Sequence, residues 1–208
     1  MIHGRNILTI SAHPDDVEFG AMGTLLKYRD SMNKLFCYVA TLGGEGDSSN
    51  GLASRKAECE KAMQKLHPDH IFCQDRIGLK AEDYHLEVGR IEGIVKGCGI
   101  TLVLVNSRHD THQDHRLISE ITLTALRRAK IGILLYASPS VSLEFRPRVF
   151  VDIGHFVDEK MAALKFHQTQ GQKPYMNQEY LDAFHSDPYA LLRGIKYVER
   201  FEIETICL

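Results

Sequence analysis

The segment Thr101-Leu102-Val103-Leu104-Val105 constrains the fold of this chain more than any other, because it combines apolar and β-branched residues without interruption. Such a run is typical of a parallel strand that is buried on both faces of its sheet. Further short strand-like runs occur at residues 6–10, 35–40, 131–136 and 149–153, and helical patterns separate most of them. This alternation predicts an α/β fold, a Rossmann-like three-layer sandwich with a mainly parallel sheet.

Length and composition predict one soluble domain spanning residues 1–208, without repeats or linkers. A net charge of −2 and scattered basic residues argue against nucleic acid or an anionic membrane as a partner. No apolar run approaches the roughly 20 residues of a membrane span, and the first strand begins too early for a signal peptide. The five cysteines form no C-x-x-C pair, which predicts free thiols and a cytoplasmic location.

A histidine and two aspartates follow the first predicted strand, within Ala12-His13-Pro14-Asp15-Asp16. In open α/β sheets, ligands bind at this end of a strand. Pro14 suits a first helical turn, so His13 and Asp16 can project to one side while Asp15 points elsewhere. The spacing indicates two metal ligands and one free carboxylate. Helix N-capping by an aspartate is the alternative, but it explains neither His13 nor the second aspartate.

A second polar cluster, residues 107–116, holds three histidines and two aspartates and again lies between a predicted strand and a predicted helix. The carboxyl ends of parallel strands lie along one edge of a sheet, so both clusters can share one cleft. Imidazole and carboxylate ligands together favour zinc, with iron, manganese or cobalt as substitutes. Each histidine alone is more typical of a surface residue, and the coincidence of the two clusters is what predicts a metal site.

Several further segments match a known family in the same order along nearly the whole chain: Gly23-Thr24-Leu25, Thr41-Leu42-Gly43-Gly44-Glu45, Arg55-Lys56-Ala57-Glu58 with Ala62, and residues 110–116, 151–153, 167–170 and 197–201. With Ala12-His13-Pro14-Asp15-Asp16, they make the chain resemble the PIG-L/LmbE-like family of zinc-dependent N-deacetylases, which remove acetyl groups from amino sugars. Thr169 and Leu42 are small departures, since serine and a polar residue are common there.

The resemblance implies that His13, Asp16 and His115 hold one zinc ion per chain and leave positions for water and substrate. Asp15 would be the general base that takes a proton from water and later delivers it to the leaving amine. The alternative is that Asp15 has no catalytic role and that its carboxylate only stabilises the N-terminus of a helix.

By the same resemblance, His112 would stabilise the oxyanion or serve as an acid, while Asp114 would orient His112 and favour its charged form. Arg55 would bind hydroxyl, carboxylate or phosphate oxygens of the substrate. Each residue also has a competing interpretation. His112 could support a metal ligand without touching the substrate, and Asp114 could cap the N-terminus of a helix. Arg55 could be a solvent-exposed arginine on its helix. The roles of Glu45, Asp110 and His167 stay open, with Asp110 either anchoring its loop or contacting a ligand.

The expected reaction is hydrolysis of the N-acetyl group of a small amino sugar or N-acetylglucosamine-containing glycoside, and the resemblance also implies a homo-oligomer. Alternatives are a metal-dependent amidase acting on a non-sugar or thiol-conjugate substrate and a non-catalytic metal- or sugar-binding module. A dinucleotide-binding protein is disfavoured, because His-Pro-Asp-Asp stands where a G-x-G-x-x-G turn is needed.

Overall fold

The computed structural model describes residues 2–43 and 49–206 of the chain. Its strands are β1 (Asn6–Ser11), β2 (Lys34–Val39), β3 (His70–Cys73), β4 (Leu102–Asn106), β5 (Gly132–Tyr136), β6 (Val149–Asp152) and β7 (Val198–Thr205). Its α-helices are α1 (Asp16–Gly20), α2 (Met22–Tyr28), α3 (Ser49–Met63), α4 (Tyr84–Gly97), α5 (Gln113–Leu126), α6 (Val157–Leu164), α7 (Gln178–His185) and α8 (Pro188–Leu191).

The seven strands form one sheet in the order β3-β2-β1-β4-β5-β7-β6. The first five strands in that order run parallel, and β7 is antiparallel to both β5 and β6. The chain moves outward from β1 to β3 and then returns to pair β4 with the free side of β1. The strand order therefore reverses between β1 and β4, and a crevice opens beyond the carboxyl ends of these two strands.

Helices cover both faces of the sheet, and successive strand residues belong to different cores. Ile7 packs in the cluster that contains Met22 of α2 and Cys59 of α3, whereas Leu8 packs in the cluster that contains Ile118 of α5. The fold is therefore the predicted three-layer α/β sandwich with a mostly parallel sheet. Among the described helices, none has both the length and the hydropathy of a bilayer span.

The apolar face of Met22, Leu25 and Leu26 predicts one helix over residues 19–32. The structure instead divides this part of the chain into α1 and α2 at Ala21, which has φ −142°. Close packing against β5 accompanies the division, since a Cβ at Gly20 would lie only 2.4 Å from a ring carbon of Tyr136. Helices α7 and α8 are absent from the sequence prediction. Their N-caps are ordinary, with the side chains of Asn177 and Asp187 accepting from the following backbone amides.

Candidate active site

The loop after β1 is hydrogen-bonded to the end of β4 and to the loop after β2. The Ala12 amide donates to Asn106 Oδ1 at 3.0 Å, and Thr41 Oγ1 donates to the Ala12 carbonyl at 2.9 Å. The Tyr136 hydroxyl lies 3.1 Å from Asn106 Oδ1 and 2.9 Å from the Ile10 carbonyl. Sequence reasoning missed Asn106 and Tyr136, although a buried asparagine ending an apolar strand is a signal that it anchors a neighbouring loop.

Asp15 has a left-handed backbone conformation, and its side chain does not cap the helix that follows. Its φ of 87° lies in the left-handed region, which aspartate tolerates better than most non-glycine residues. Asp15 is the N-cap residue of α1, yet its side chain makes no capping hydrogen bond. Its Oδ2 instead accepts from the Tyr175 hydroxyl at 3.2 Å. In the structure the carboxylate of Asp15 therefore does not act as a helix cap.

Donor atoms of His13, Asp16 and His115 converge on one point. Asp16 Oδ1 lies 3.2 Å from His115 Nε2, which lies 3.3 Å from His13 Nδ1. His13 Nδ1 lies 3.8 Å from Asp16 Oδ2, which also accepts from the His13 amide at 2.9 Å. Tetrahedral ligands about 2.0–2.1 Å from zinc are separated by about 3.3 Å, so these spacings fit a zinc ion.

His112 is a further candidate ligand. One donor atom from each of His13, His112 and His115 can be chosen so that all three lie within 4.8 Å of one another. The spacings around Asp16 are shorter than this limit and closer to those of a tetrahedral site. The geometry therefore favours Asp16 as the third ligand and leaves His112 beside the site.

The charges around His115 favour a cation at the point of convergence. Burial opposes protonation of His115, but the carboxylates of Asp16 and Asp110 raise its pKa to about 10. Burial also opposes ionisation of Asp16, yet His115 and His13 hold the pKa of Asp16 well below its usual value. A divalent metal ion supplies the same compensating positive charge, so the donor set suits one.

Carboxylates also contact the second ring nitrogens of the two candidate histidine ligands, His115 and His13. His115 Nδ1 lies 2.9 Å from Asp110 Oδ2, and Asp110 Oδ1 accepts from the His112 amide at 2.8 Å. Asp110 thus both anchors its loop and contacts a candidate ligand. His13 Nε2 lies 3.0 Å from Asp114 Oδ2. Such contacts orient an imidazole and select its tautomer.

The partner of Asp114 differs from the sequence prediction, in which this carboxylate orients His112. His112 is the N-cap residue of α5, and its Nδ1 accepts from the Asp114 backbone amide at 3.2 Å. The helical turn that places this amide against His112 leaves the Asp114 carboxylate directed at His13. Contrary to the predicted charged form, burial and the positive charges of His115 and His13 lower the pKa of His112.

Asp15 has the proton affinity that a base working near neutrality requires. It is buried, and burial together with the charge of neighbouring Asp16 raises the pKa of Asp15 to about 7. Burial and the charge of Asp15 raise the pKa of Tyr175, so its hydroxyl stays a proton donor to Asp15. Tyr175 was not predicted, because its stretch showed only turn signals.

A pocket of about 690 Å³ brings together six of the seven predicted site residues: His13, Asp15, Asp16, Arg55, His112 and His115. The seventh, Asp114, lies behind His13. Gly43 sits between His13 and Arg55, since a Cβ there would lie 3.0 Å from Arg55 Nη2 and 3.1 Å from His13 Cδ2. Its φ of +65° also favours glycine.

His167 and Glu45 had no predicted role. His167 Nε2 lies 2.9 Å from Glu18 Oε1 in a buried pair, and Glu18 raises the pKa of His167 against the effect of burial. This pair supports the segment that continues into the pocket at Gln170. Glu45 lies outside the described residues.

Comparisons with known proteins identify relatives along the whole chain. Residues 8–126 match the PIG-L family, described as GlcNAc-PI de-N-acetylase. The uncharacterised deacetylase YaiS of Escherichia coli (strain K12) is 30% identical in an alignment of 175 residues that covers 79% of this chain and 91% of YaiS.

Two solved structures show the same fold. The N,N'-diacetylchitobiose deacetylase from Pyrococcus horikoshii superposes with a TM-score of 0.79 at 20% identity, covering 96% of this chain and 83% of that one. GalB, the 4-carboxy-2-hydroxymuconate hydratase from Pseudomonas putida KT2440, gives a TM-score of 0.79 at 17% identity and covers 98% of both chains. One architecture therefore serves different reactions, and the reaction has to be argued from the site.

Proposed function

Because this chain belongs to the PIG-L family of GlcNAc-PI de-N-acetylases, we propose that it is a zinc-dependent hydrolase acting on a small acetylated amino sugar or N-acetylglucosamine-containing glycoside. The observation that carries the proposal is the convergence of His13, Asp16 and His115 beside the buried carboxylate of Asp15 in one pocket. Water and the N-acetyl compound would be converted into acetate and the free amine.

His13, Asp16 and His115 would hold the zinc ion. When bound there, zinc would supply Lewis-acid polarisation of the amide carbonyl and lower the pKa of a water molecule to about 7. Asp110 and Asp114 keep the rings of His115 and His13 oriented, because each carboxylate contacts the imidazole nitrogen that faces away from the metal position.

Asp15 is the proposed general base. Its carboxylate takes a proton from the attacking water as the new bond to the acyl carbon forms. The same proton is then delivered to the nitrogen as the carbon–nitrogen bond breaks, which releases the amine. The Tyr175 hydroxyl fixes one carboxylate oxygen and leaves the other for this transfer.

His112 is the proposed stabiliser of the carbonyl oxygen. Its Nδ1 accepts from the Asp114 amide, so the neutral ring carries its proton on Nε2. His112 lines the pocket, and this N–H is the group that would donate to the oxygen as negative charge develops there. A donor held in place before the reaction is worth about 10²–10³ in rate.

Family membership and the free base at Asp15 favour amide hydrolysis over hydration, although GalB shows that the fold also serves a hydratase. A non-sugar or thiol-conjugate amide is the main alternative substrate class, and an acetate-release assay on both classes separates the two. The cytoplasmic location and the homo-oligomeric state remain predictions.

The test is acetate release by zinc-loaded protein and its Asp15→Asn variant. We expect the variant to lose about 10²–10⁴ in rate, because it lacks the base, while retaining one zinc per chain by metal analysis. Asp158→Asn is the matched control, since Asp158 is an exposed aspartate in the first turn of α6. Full activity in Asp15→Asn, or failure of the wild-type chain to bind zinc, would contradict the proposal.

A further inference from the structure

Two cysteines, Cys59 on α3 and Cys73 at the end of β3, form a hydrogen-bonded thiol pair. The thiol of Cys59 donates to the sulfur of Cys73. Cys59 is fully buried, whereas Cys73 is partly exposed. Both pack in the core cluster that joins α3 to the sheet. One sulfur of the pair is therefore accessible to small molecules in solution, and the other is its buried neighbour.

An ion pair lies beside the two thiols and joins the same two segments. Lys56 stands three positions before Cys59 on α3, and its Nζ donates to both carboxylate oxygens of Asp75, at 2.8 and 2.9 Å. Asp75 stands two positions after Cys73. Helix α3 and the end of β3 are therefore held together at two adjacent points, and the two sulfurs face each other between these segments.

The surroundings make Cys73 the more acidic thiol of the pair. The hydrogen bond from Cys59 lowers the pKa of Cys73, and the charge of Lys56 acts in the same direction. Burial, Asp75 and Glu60 oppose these effects but do not outweigh them. The same hydrogen bond, together with burial, raises the pKa of Cys59. Because the thiolate is the reactive form of cysteine, Cys73 is the sulfur that an oxidant attacks first.

The other cysteines that the structure describes have different surroundings. Cys37 packs in the same core cluster, but burial raises the pKa of its thiol to about 12. Cys98, at the end of α4, is partly exposed and packs in the cluster on the opposite face of the sheet. Among these four cysteines, partial exposure and a hydrogen-bonded thiol partner coincide at Cys73.

We propose that Cys59 and Cys73 are a reversible thiol-modification site, at which a peroxide closes a disulfide between α3 and the end of β3. The Cys73 thiolate attacks one oxygen of the peroxide, the oxygen–oxygen bond breaks, and Cys73 becomes a sulfenic acid as hydroxide leaves. The sulfur of Cys59 then displaces the sulfenic hydroxyl, which departs as water with the proton of Cys59. Each disulfide reduces one peroxide, and a thiol reductant reverses the step through a mixed disulfide.

Peptide mapping tests the bond directly. The reduced full-length chain is treated with hydrogen peroxide, the remaining thiols are blocked with iodoacetamide, and a tryptic digest is analysed by mass spectrometry. Cleavage after lysine and arginine puts Cys59 in the peptide 57–61 and Cys73 in the peptide 66–76. We expect these two peptides to be joined, two hydrogen masses lighter than their sum, and dithiothreitol to separate them.

Variants separate the roles of the two thiols. In Cys59→Ser the sulfenic acid of Cys73 has no neighbouring thiol to displace its hydroxyl, so we expect it to persist and to be trapped by dimedone. Cys73→Ser should give no sulfenic acid at Cys59, because the remaining thiol is buried. Cys98→Ser is the matched control, since Cys98 is also partly exposed, and it should leave the disulfide unchanged.

Thermal unfolding tests whether the folded chain admits the bond. A disulfide that closes residues 59–73 restricts the unfolded chain, so we expect the oxidised protein to unfold at a higher temperature than the reduced protein. Cys73→Ser should show no such rise after peroxide treatment, because it cannot form the bond.

Three outcomes would overturn the inference. The first is the absence of the joined peptides, or the appearance of Cys73 joined to another cysteine. It is read on the wild-type chain and decides the matter even where Cys59→Ser fails to fold. The second is dimedone labelling of Cys59 in Cys73→Ser, which would make Cys59 the attacked thiol. The third is a lower unfolding temperature after oxidation, which would mean that the bond forms only in an opened chain. None of these measurements depends on hydrolysis by the candidate site.

Discussion

Among the clusters of buried charged side chains in the described part of the chain, the one around Glu199 and the one around His115 differ in whether the protein itself supplies every partner. Around Glu199, the carboxylate accepts from Lys160 Nζ at 2.6 Å and from the amides of Gly23 and Thr24 at 2.8 and 2.7 Å. Around His115, donor atoms of three residues face one another across 3.2–3.8 Å. In the first cluster the protein supplies the partners of both the carboxylate and the ammonium, whereas in the second the donor atoms converge on a point that suits a cation.

The difference shows that burial of charge does not by itself mark a functional site. The Lys160 ammonium donates to both Glu199 and the Phe19 carbonyl, and Glu199 accepts from the Gly23 and Thr24 amides, so the cluster joins α1, α2, α6 and β7 to one another. At His115 the polar atoms belong to the loop after β1 and to the first turns of α1 and α5, at a strand-order reversal, and they lie on the wall of a pocket. A candidate catalytic cluster is therefore distinguished from a structural one by two features besides burial. Its donor atoms converge on one point, and that point is open to a pocket.

The largest expected effect tests the structural cluster. Glu199→Gln leaves the ammonium of Lys160 buried without its carboxylate, so we expect a loss of about 3–5 kcal/mol in the free energy of unfolding. Denaturant unfolding measures it. Zinc affinity and acetate release per folded chain should be unchanged, because Glu199 contacts none of the candidate ligands.

Glu82→Gln is the control, since it removes an exposed glutamate paired with Lys80 and should cost less than about 1 kcal/mol. If Glu199→Gln lost its zinc while remaining stable, the distinction between the two clusters would fail.

A smaller effect tests the site cluster. Asp110→Asn keeps the shape of the contact to His115 Nδ1 but removes its negative charge, so we expect zinc to bind about 10- to 100-fold more weakly. Competition with a chelating dye measures the zinc dissociation constant, and thermal unfolding without metal shows whether the fold is retained. Asp75→Asn, at an exposed ion pair with Lys56, should leave zinc affinity unchanged. Unaltered affinity in Asp110→Asn would mean that Asp110 serves the loop alone.

The fold was predictable where each residue's environment follows from its neighbours in sequence. Uninterrupted apolar runs predict strands buried on both faces, and β4 is the clearest case. The division between α1 and α2 was not predictable, because it accompanies contact of Gly20 with Tyr136, more than 100 positions away. Helix α7 is short, and its buried Leu181 packs against a cluster with Phe19, which only the tertiary structure provides.

The candidate site also has parts that the sequence predicts and parts that depend on contacts between distant residues. The strand-end rule, which needs no coordinates, predicted that the loop with His13 and the loop with His115 share one cleft, and both residues line the same pocket. The choice of His13, Asp16 and His115 as metal ligands came from the family resemblance and stays a prediction. The carboxylate of Asp114 was assigned to the wrong imidazole, because local spacing favours His112 while its actual contact, His13, is 101 positions away. Tyr175 was missed for the same reason, since its contact with Asp15 spans 160 positions.

The smallest effect is a pH dependence that belongs to the structural side of the comparison. His185 is buried beside Phe19, and its Nδ1 lies 3.2 Å from the Val198 carbonyl. Burial and the positive charges of Lys160 and Arg200 lower the pKa of His185 well below its usual value. In the unfolded chain a histidine takes up a proton near pH 6.5. Protons therefore favour unfolding, and this contribution to stability is lost as the pH falls below 6.5.

His185→Phe removes this titration and keeps an aromatic ring in the cluster. We expect the stability of wild type relative to the variant to decline by up to about 1.4 kcal/mol per pH unit below 6.5, measured by urea unfolding between pH 7.5 and 5. Groups common to both proteins cancel in the difference. Phe184→Leu, which alters a ring in contact with His185 without adding or removing a charge, should shift stability by the same amount at every pH. Parallel curves for wild type and His185→Phe would show that this histidine takes up its proton at the same pH in the folded and the unfolded protein, and the structural region would then hold an uncompensated charge below that pH.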